Sequence, residues 1–152
     1  MAMAPGKNYT WSMERRDLKK DVAKIKDHYK MDLVVSLLDE HEMKWLGIPK
    51  ELEELENAGL EVRHYPIEDM DIPDDIGKFD NLVKEVVEQY LKKGKRVLVH
   101  CQGGNGRTGL FVACLFIYQG YNSNDALRKV RTVRKYAVET NKQEQFVLNK
   151  NF

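Results

Sequence analysis

The run His100-Cys101-Gln102-Gly103-Gly104-Asn105-Gly106-Arg107-Thr108-Gly109 follows the apolar segment Val97-Leu98-Val99 and leads into a second long apolar stretch. A β-rich segment, a glycine-rich turn and an apolar helix in that order admit few folds, because a buried strand must pass almost directly into a buried helix. Gly103, Gly104 and Gly106 let the backbone curl so that successive N–H groups point inward. The helix beginning near Thr108 aims its positive dipole end at the same spot. Such a loop is a cup for one phosphate-sized anion, with Gln102 and Asn105 in its wall. Arg107 can close it with two parallel N–H···O bonds, and Cys101, among those dipoles and that cation, is expected to be held as a thiolate. A thiolate under a phosphate is a nucleophile. A structural cysteine before a flexible loop would leave the Gly, Arg and Thr placements unexplained. A nucleotide-binding loop fits less well, since no Gly-Lys-Ser/Thr follows the glycines.

With 152 residues, 42% of them hydrophobic, the chain can build one core, so a single domain over residues 1–152 is expected. A net charge of +1 with acids and bases interspersed gives no reason to expect nucleic acid as a partner. No stretch reaches membrane-spanning length, and the start, Met1 to Gly6, lacks the apolar core of a signal peptide. Two cysteines, Cys101 and Cys114, match the usage of a reducing compartment, cytoplasm or nucleus. Cys114 lies in the apolar run Leu110 to Tyr118 and reads as core; two helical turns should hold its sulfur too far from Cys101 for a disulfide.

Elsewhere the pattern alternates between strands and helices. Leu18, Val22, Ile25 and Tyr29 recur at helical spacing and predict a surface helix near residues 14–29. A buried strand is expected over Asp32–Leu38, a short helix after Pro49 ending at Gly59, and a second strand over Glu61–Tyr65. Pro73 is read as opening the next helix, with Phe79, Leu82, Val83, Val86, Val87 and Tyr90 on its buried face and Gly94 at its end. The strand Arg96–Val99 follows. Further helices are expected over Ser123–Arg134, capped by Ser123 or Asn124, and from Asn141 onward. This is an α/β pattern: a central, mostly parallel sheet with helices on both faces and a site at the carboxyl ends of the strands.

A thiolate that takes a phosphoryl group needs an acid to protonate the departing oxygen. Carboxylates cluster between His64 and Asp75. Asp74 and Asp75 fall where acids stabilise a helix dipole and Asp71 within capping reach, whereas Asp69 has no such local duty. The four histidines, His28, His41, His64 and His100, lack metal-ligand spacing, so no metal or other cofactor is expected. His100, beside the nucleophile, is read as orienting the loop. The basic run Arg128, Lys129, Arg131, Arg134, Lys135 reads as a solvated helix face before it reads as a docking patch.

The His-Cys pair followed after five residues by Arg-Thr-Gly resembles the signature of the cysteine-dependent protein tyrosine phosphatases. The Pro66-Ile67-Glu68-Asp69 loop is similar to the general-acid loop of their dual-specificity-like branch, which places the acid on Asp69. Together with Ala4-Pro5-Gly6, the segment Arg15 to Asp21, Val112-Ala113-Cys114, Thr140 and Gln143, these residues resemble the kinase-associated phosphatase family; the closing segment is also similar to small archaeal and bacterial phosphatases. The resemblance implies a single-domain protein tyrosine phosphatase-like fold and hydrolysis of phosphotyrosine and phosphoserine or phosphothreonine monoesters through a phosphocysteine. The substrate would be a phosphorylated protein, a protein kinase among the candidates, and the enzyme a monomer. Thr108 would then hydrogen-bond the sulfur. Where relatives place an Ile-Gln-Thr segment that positions the attacking water, this chain has Val138-Glu139-Thr140; Glu139 calls for a partner such as Arg134 or Lys135, or for an orientation away from the phosphate, while Gln143 keeps the second amide. Gln102 and Asn105 stand where phosphoinositide phosphatases carry lysines, which weighs against a lipid substrate. Lys7-Asn8-Tyr9 is too short a match to a tyrosine-recognition loop to count. Two alternatives remain: a phosphatase of a lipid or other small phosphomonoester, and a module that binds a phosphoprotein or kinase without turnover.

Overall fold

Four parallel strands in the order β1-β4-β2-β3 form the sheet of the computed structural model, which describes residues 1–8 and 16–152. They are β1 (Ala2–Met3), β2 (Leu33–Ser36), β3 (Glu61–His64) and β4 (Val97–Cys101). The helices are α1 (Leu18–Ala23), extended by a π-type turn through His28, α2 (Glu40–Trp45), α3 (Glu51–Asn57), α4 (Ile76–Glu85), extended through Lys93, α5 (Gly106–Tyr118), α6 (Ser123–Val133) and α7 (Asn141–Leu148).

Side chains alternate across the strands, and the two faces bury different helices. Leu33, Val35 and Val99 face a cluster with Phe79 and Val83 of α4, Leu110, Phe111 and Cys114 of α5, Leu127 of α6 and Val147 of α7. Val34 and Leu98 face the other way, against Val22 and Ile25 of the first helical segment and Leu55 of α3. The first helical segment therefore covers the sheet as its apolar stripe predicts. Tyr29, however, is 50% exposed, and residues 14 and 15 lie outside the described residues. α5 is apolar all round because it is buried all round, between the sheet and its neighbouring helices. Phe79 holds edge-to-face contacts with Tyr65, Phe111 and Phe146 at 5.5–5.8 Å between ring centres, joining the segment after β3 to α5 and α7.

Several expected boundaries move. α4 is not opened by Pro73: Asp75 is its N-cap, its side chain accepting from the Lys78 amide, and the helix starts at Ile76. Asp71 is accordingly no cap; it pairs with Lys142 and accepts from the Ile72 amide. Asn122, rather than Ser123 or Asn124, caps α6 through the Asp125 amide. Two elements have no counterpart in the sequence reading. β1 pairs with β4 at Ala2–His100 and Met3–Cys101, and α2 is closed by a capping box between Asp39 and Glu42.

Candidate active site

Parallel strands put their carboxyl ends on one edge, and here that edge gathers the chemistry. Cys101 ends β4, the carboxylate loop follows β3, and α2 follows β2. Segments far apart in the chain thereby meet over one thiol.

The turn after Cys101 is anchored from outside. The Gln102 carbonyl accepts from the Ala4 amide at 3.3 Å and from Lys7 Nζ at 3.1 Å; the Asn105 carbonyl accepts from the Gly109 amide at 2.7 Å and the Val138 amide at 3.4 Å. These contacts hold two carbonyls of the loop from outside. The Gly104 N–H donates to Cys101 Sγ at 3.3 Å. Gly104 takes φ +77°, and a Cβ there would lie 2.3 Å from the Ala2 carbonyl oxygen, so the position tolerates only glycine on both counts. Asn105 at the N-cap of α5 makes no side-chain capping bond, which leaves the positive end of a 13-residue helix facing the cup.

Arg107 is the largest fully buried side chain among the described residues, 1% exposed. Its Nη1 donates to Glu42 Oε2 at 2.6 Å and to the Ile67 carbonyl at 2.9 Å; its Nη2 donates to Glu42 Oε1 at 2.7 Å and to Asp69 Oδ1 at 2.8 Å. A bidentate carboxylate of this kind locks the plane of the guanidinium. Burial works against its charge, but Glu42, Cys101 and Asp69 outweigh it and raise the Arg107 pKa above its ordinary value. Asp69 therefore stands beside Arg107, at the end of an exposed loop whose backbone is tied down at Ile67. Glu42 is the residue the sequence reading missed; its one local signal was the Asp39-x-x-Glu42 capping box at the start of α2.

The other predicted positions are also near the cup. Thr108 Oγ1 is buried and has no hydrogen-bond partner among the described residues. Gln143 is fully buried: its Oε1 accepts from the Glu139 amide at 3.0 Å and its Nε2 donates to the Asp71 carbonyl at 3.0 Å, tying α7 to the carboxylate loop. The Glu139 carboxylate lies over the start of α5, where a Cβ on Gly106 would come within 2.5 Å of Oε2 and 3.1 Å of Gln143 Oε1. Arg134 reaches Asn105 Oδ1 at 3.5 Å. Gly103 is the exposed member of the cup, and Gln102 and Asn105 are half-buried. His100 is fully buried one residue before Cys101, and its pKa is depressed to about 4, chiefly by burial, so the ring is neutral at pH 7. Cys114 is a second buried free thiol, pushed up to about 12 by burial and therefore unreactive.

A buried thiol that accepts a backbone N–H beside a helix N-terminus, with a carboxylate-braced arginine from the first turn of that helix, is the arrangement of a cysteine-based phosphatase site. Over residues 7–147 the chain matches the sequence model of a family described as "Swiss Army Knife protein, DSP-PTPase phosphatase domain", and it belongs to that family. It is similar to the cyclin-dependent kinase inhibitor 3 of Rattus norvegicus, 31% identical over 136 residues, which cover 88% of this chain and 63% of that protein. The chain thus spans somewhat less than two thirds of that relative's length. Among solved structures it is similar to the kinase associated phosphatase carrying a serine in place of its catalytic-site cysteine, at 25% identity and a TM-score of 0.87, covering 99% of this chain and 86% of that one. It is also similar to Tk-PTP in its active form, at 33% identity and a TM-score of 0.73, over 86% of this chain and 82% of the other. The single-domain α/β fold with a parallel sheet is the fold of these phosphatases.

Proposed function

We propose that this protein is a protein phosphatase that hydrolyses phosphotyrosine, and phosphoserine or phosphothreonine, through a phosphocysteine intermediate. The observation that carries the reading is the Cys101 sulfur, held in an amide-lined turn with the Gly104 N–H directed at it and the braced Arg107 guanidinium alongside. A relative of the same fold whose catalytic site contains a cysteine supports the assignment.

In the first step Cys101 Sγ attacks phosphorus; an S–P bond forms as the ester P–O bond breaks, and Asp69 gives its proton to the departing oxygen. Amides of Gln102 to Gly106 and the Arg107 guanidinium hold the equatorial oxygens, whose charge they stabilise in a water-poor cup. Glu42 occupies both terminal nitrogens end-on, so Nε remains for phosphate, and Asp69 yields its place on Nη2 when a phosphate enters. In the second step Asp69, now a carboxylate, takes a proton from water; the water oxygen attacks phosphorus, the S–P bond breaks, and inorganic phosphate leaves. The unpaired Thr108 hydroxyl is available to the sulfur as it departs. Gln143 and Glu139, at the edge of the cup, border the path of that water. His100 keeps the strand end in place. The substrate is a phosphorylated protein, a kinase being one candidate, reached by the monomer in the reducing setting of cytoplasm or nucleus.

Turnover of an aryl phosphate and of a panel of phosphopeptides and phosphoinositides tests this. The native chain is expected to hydrolyse the aryl and peptide esters. Cys101→Ser is expected to bind them without turnover, since its hydroxyl is not ionised at neutral pH. Appreciable hydrolysis by Cys101→Ser would overturn the phosphocysteine route, and a preference for phosphoinositides would overturn the protein substrate.

A further inference from the structure

On the face of the sheet opposite α5, three polar side chains are packed with no exposure at all: Ser36 of β2, His100 of β4 and Glu51, the first residue of α3. Ser36 Oγ donates to Glu51 Oε2 at 3.1 Å, and the other carboxyl oxygen, Oε1, lies 3.4 Å from His100 Nε2. Neither Glu51 Oε1 nor either ring nitrogen of His100 has a hydrogen bond of standard geometry among the described residues. Buried polar atoms left open are costly, so a cluster of this kind calls for a role. Its position supplies one: successive residues of a strand point to opposite faces, so His100 turns into this cluster while Cys101 turns toward α5 and the cup.

We propose that Glu51 is a positioning residue for the Cys101 nucleophile: anchored by Ser36, it presents a carboxylic acid O–H to Nε2 of His100, leaving the Nδ1–H of that ring for the Cys101 backbone. The proposal rests on the reading of Cys101 as nucleophile. An ion pair is the rival form of the same contact, and burial disfavours it: two charges taken out of water cost more than their attraction returns unless further hydrogen bonds complete them. Burial raises the Glu51 carboxyl to about 8, against a smaller lowering by Ser36, and lowers the His100 ring to about 4. At pH 7 both partners are neutral. The charged groups around the ring agree. Arg107 of α5, His64 of β3 and the chain's amino group at β1 all disfavour a proton on His100; the Cys101 backbone favours one, as expected if Nδ1–H points at it.

The test reads the thiol directly, so it stands apart from phosphatase turnover. Alkylation of Cys101 by iodoacetamide is followed against pH, with the labelled cysteine located by mass spectrometry, in the native chain and in Glu51→Gln and Glu51→Leu. A glutamine amide accepts from Ser36 and donates to Nε2, so its midpoint should match the native one. Leucine keeps the volume and removes the donor, so its midpoint should rise by about one pH unit, a tenfold loss of thiolate below it. A Glu51→Leu midpoint equal to the native one would make Glu51 merely structural. A Glu51→Gln midpoint displaced as far as that of Glu51→Leu would show that a charge, not a hydrogen bond, acts. Nitrogen NMR of the native His100 ring needs no variant: a neutral Nδ1–H tautomer at pH 7 is expected, and an Nε2–H tautomer or an imidazolium would overturn the proposal. Should Cys101→Ser retain turnover, the phosphocysteine reading fails, and the alkylation result is unaffected.

Discussion

Asp69 and Asp71 are two residues apart and differ in what holds them. Asp69 touches Arg107, whereas Asp71 pairs with Lys142 and accepts from the Ile72 amide, contacts that hold its carboxyl below the usual range. Asp69→Asn should therefore lower turnover by about 10²–10⁴-fold for a phosphotyrosine ester, and far less for an aryl leaving group acidic enough to depart unprotonated. Asp71→Asn should change activity little, since its carboxylate is engaged with Lys142 and the Ile72 amide and does not touch Arg107. Turnover plotted against leaving-group pKa separates them; a steep dependence appearing only in Asp71→Asn would reverse the assignment. Glu42 makes the complementary case. Removing it in Glu42→Ala leaves a buried guanidinium short of its bidentate partner, which should cost about 3 kcal/mol in a denaturant titration. It should also misplace the phosphate grip, lowering kcat/KM by about 10²-fold. Tighter phosphate binding by this variant would show that Glu42 competes with the anion instead of bracing the arginine.

At the scale of elements, the strand–loop–helix around Cys101 could be read from the sequence because all of its determinants are local: an apolar β segment, three glycines and an apolar helix within one stretch. What escaped depends on contacts between distant segments. β1 is two residues long, and it exists only because β4 is there to receive it. α2 is six residues long, below the length at which periodicity is informative, and Glu42 gains its meaning from an arginine 65 positions away. Glu51 reads as one more acid in a charged helix until the fold buries it against Ser36 and His100. Local chemistry thus points to Cys101 and Arg107 as one unit, and hides what holds them. The pairing of β1 with β4 invites a direct test. Gly104→Ala places a methyl group on the Ala2 carbonyl and forces a left-handed φ on a non-glycine residue, a strain of about 1–3 kcal/mol. Either the turn opens or β1 leaves the sheet. Loss of phosphate-ester binding, with earlier hydrogen exchange at Cys101 than in the native chain, is expected; a fully active Gly104→Ala would mean the cup does not need this backbone shape.

For the whole molecule, the buried Glu51–His100 pair sets an unusual dependence of stability on pH. His100 falls from its ordinary value of 6.5 to about 4 on folding, so the unfolded chain binds the extra proton and stability is lost as pH falls through that window. Glu51 rises from 4.5 to about 8, so the folded chain binds the extra proton and stability is lost as pH rises through that window. Where the windows overlap, between 4.5 and 6.5, the two slopes cancel. Above 6.5 only Glu51 acts, and by pH 8 the chain should have lost about 2 kcal/mol. Urea midpoints at pH 6.5 and 8 check this: the native chain should weaken, and Glu51→Gln, which has no proton to lose, should not. Equal losses in both would place the titration elsewhere.

The partners of Arg107 lie 65, 40 and 38 positions from it along the chain, in α2 and in the loop after β3. Contacts of such span close late, after the loops they bridge have given up their freedom, and they close together or not at all. The guanidinium is thus a keystone, supporting the distant segments that hold it. A chain caught part-way through folding can carry a formed strand, a formed helix and a cysteine between them, yet it lacks the braced guanidinium; the proposed phosphate site exists only once the architecture is complete.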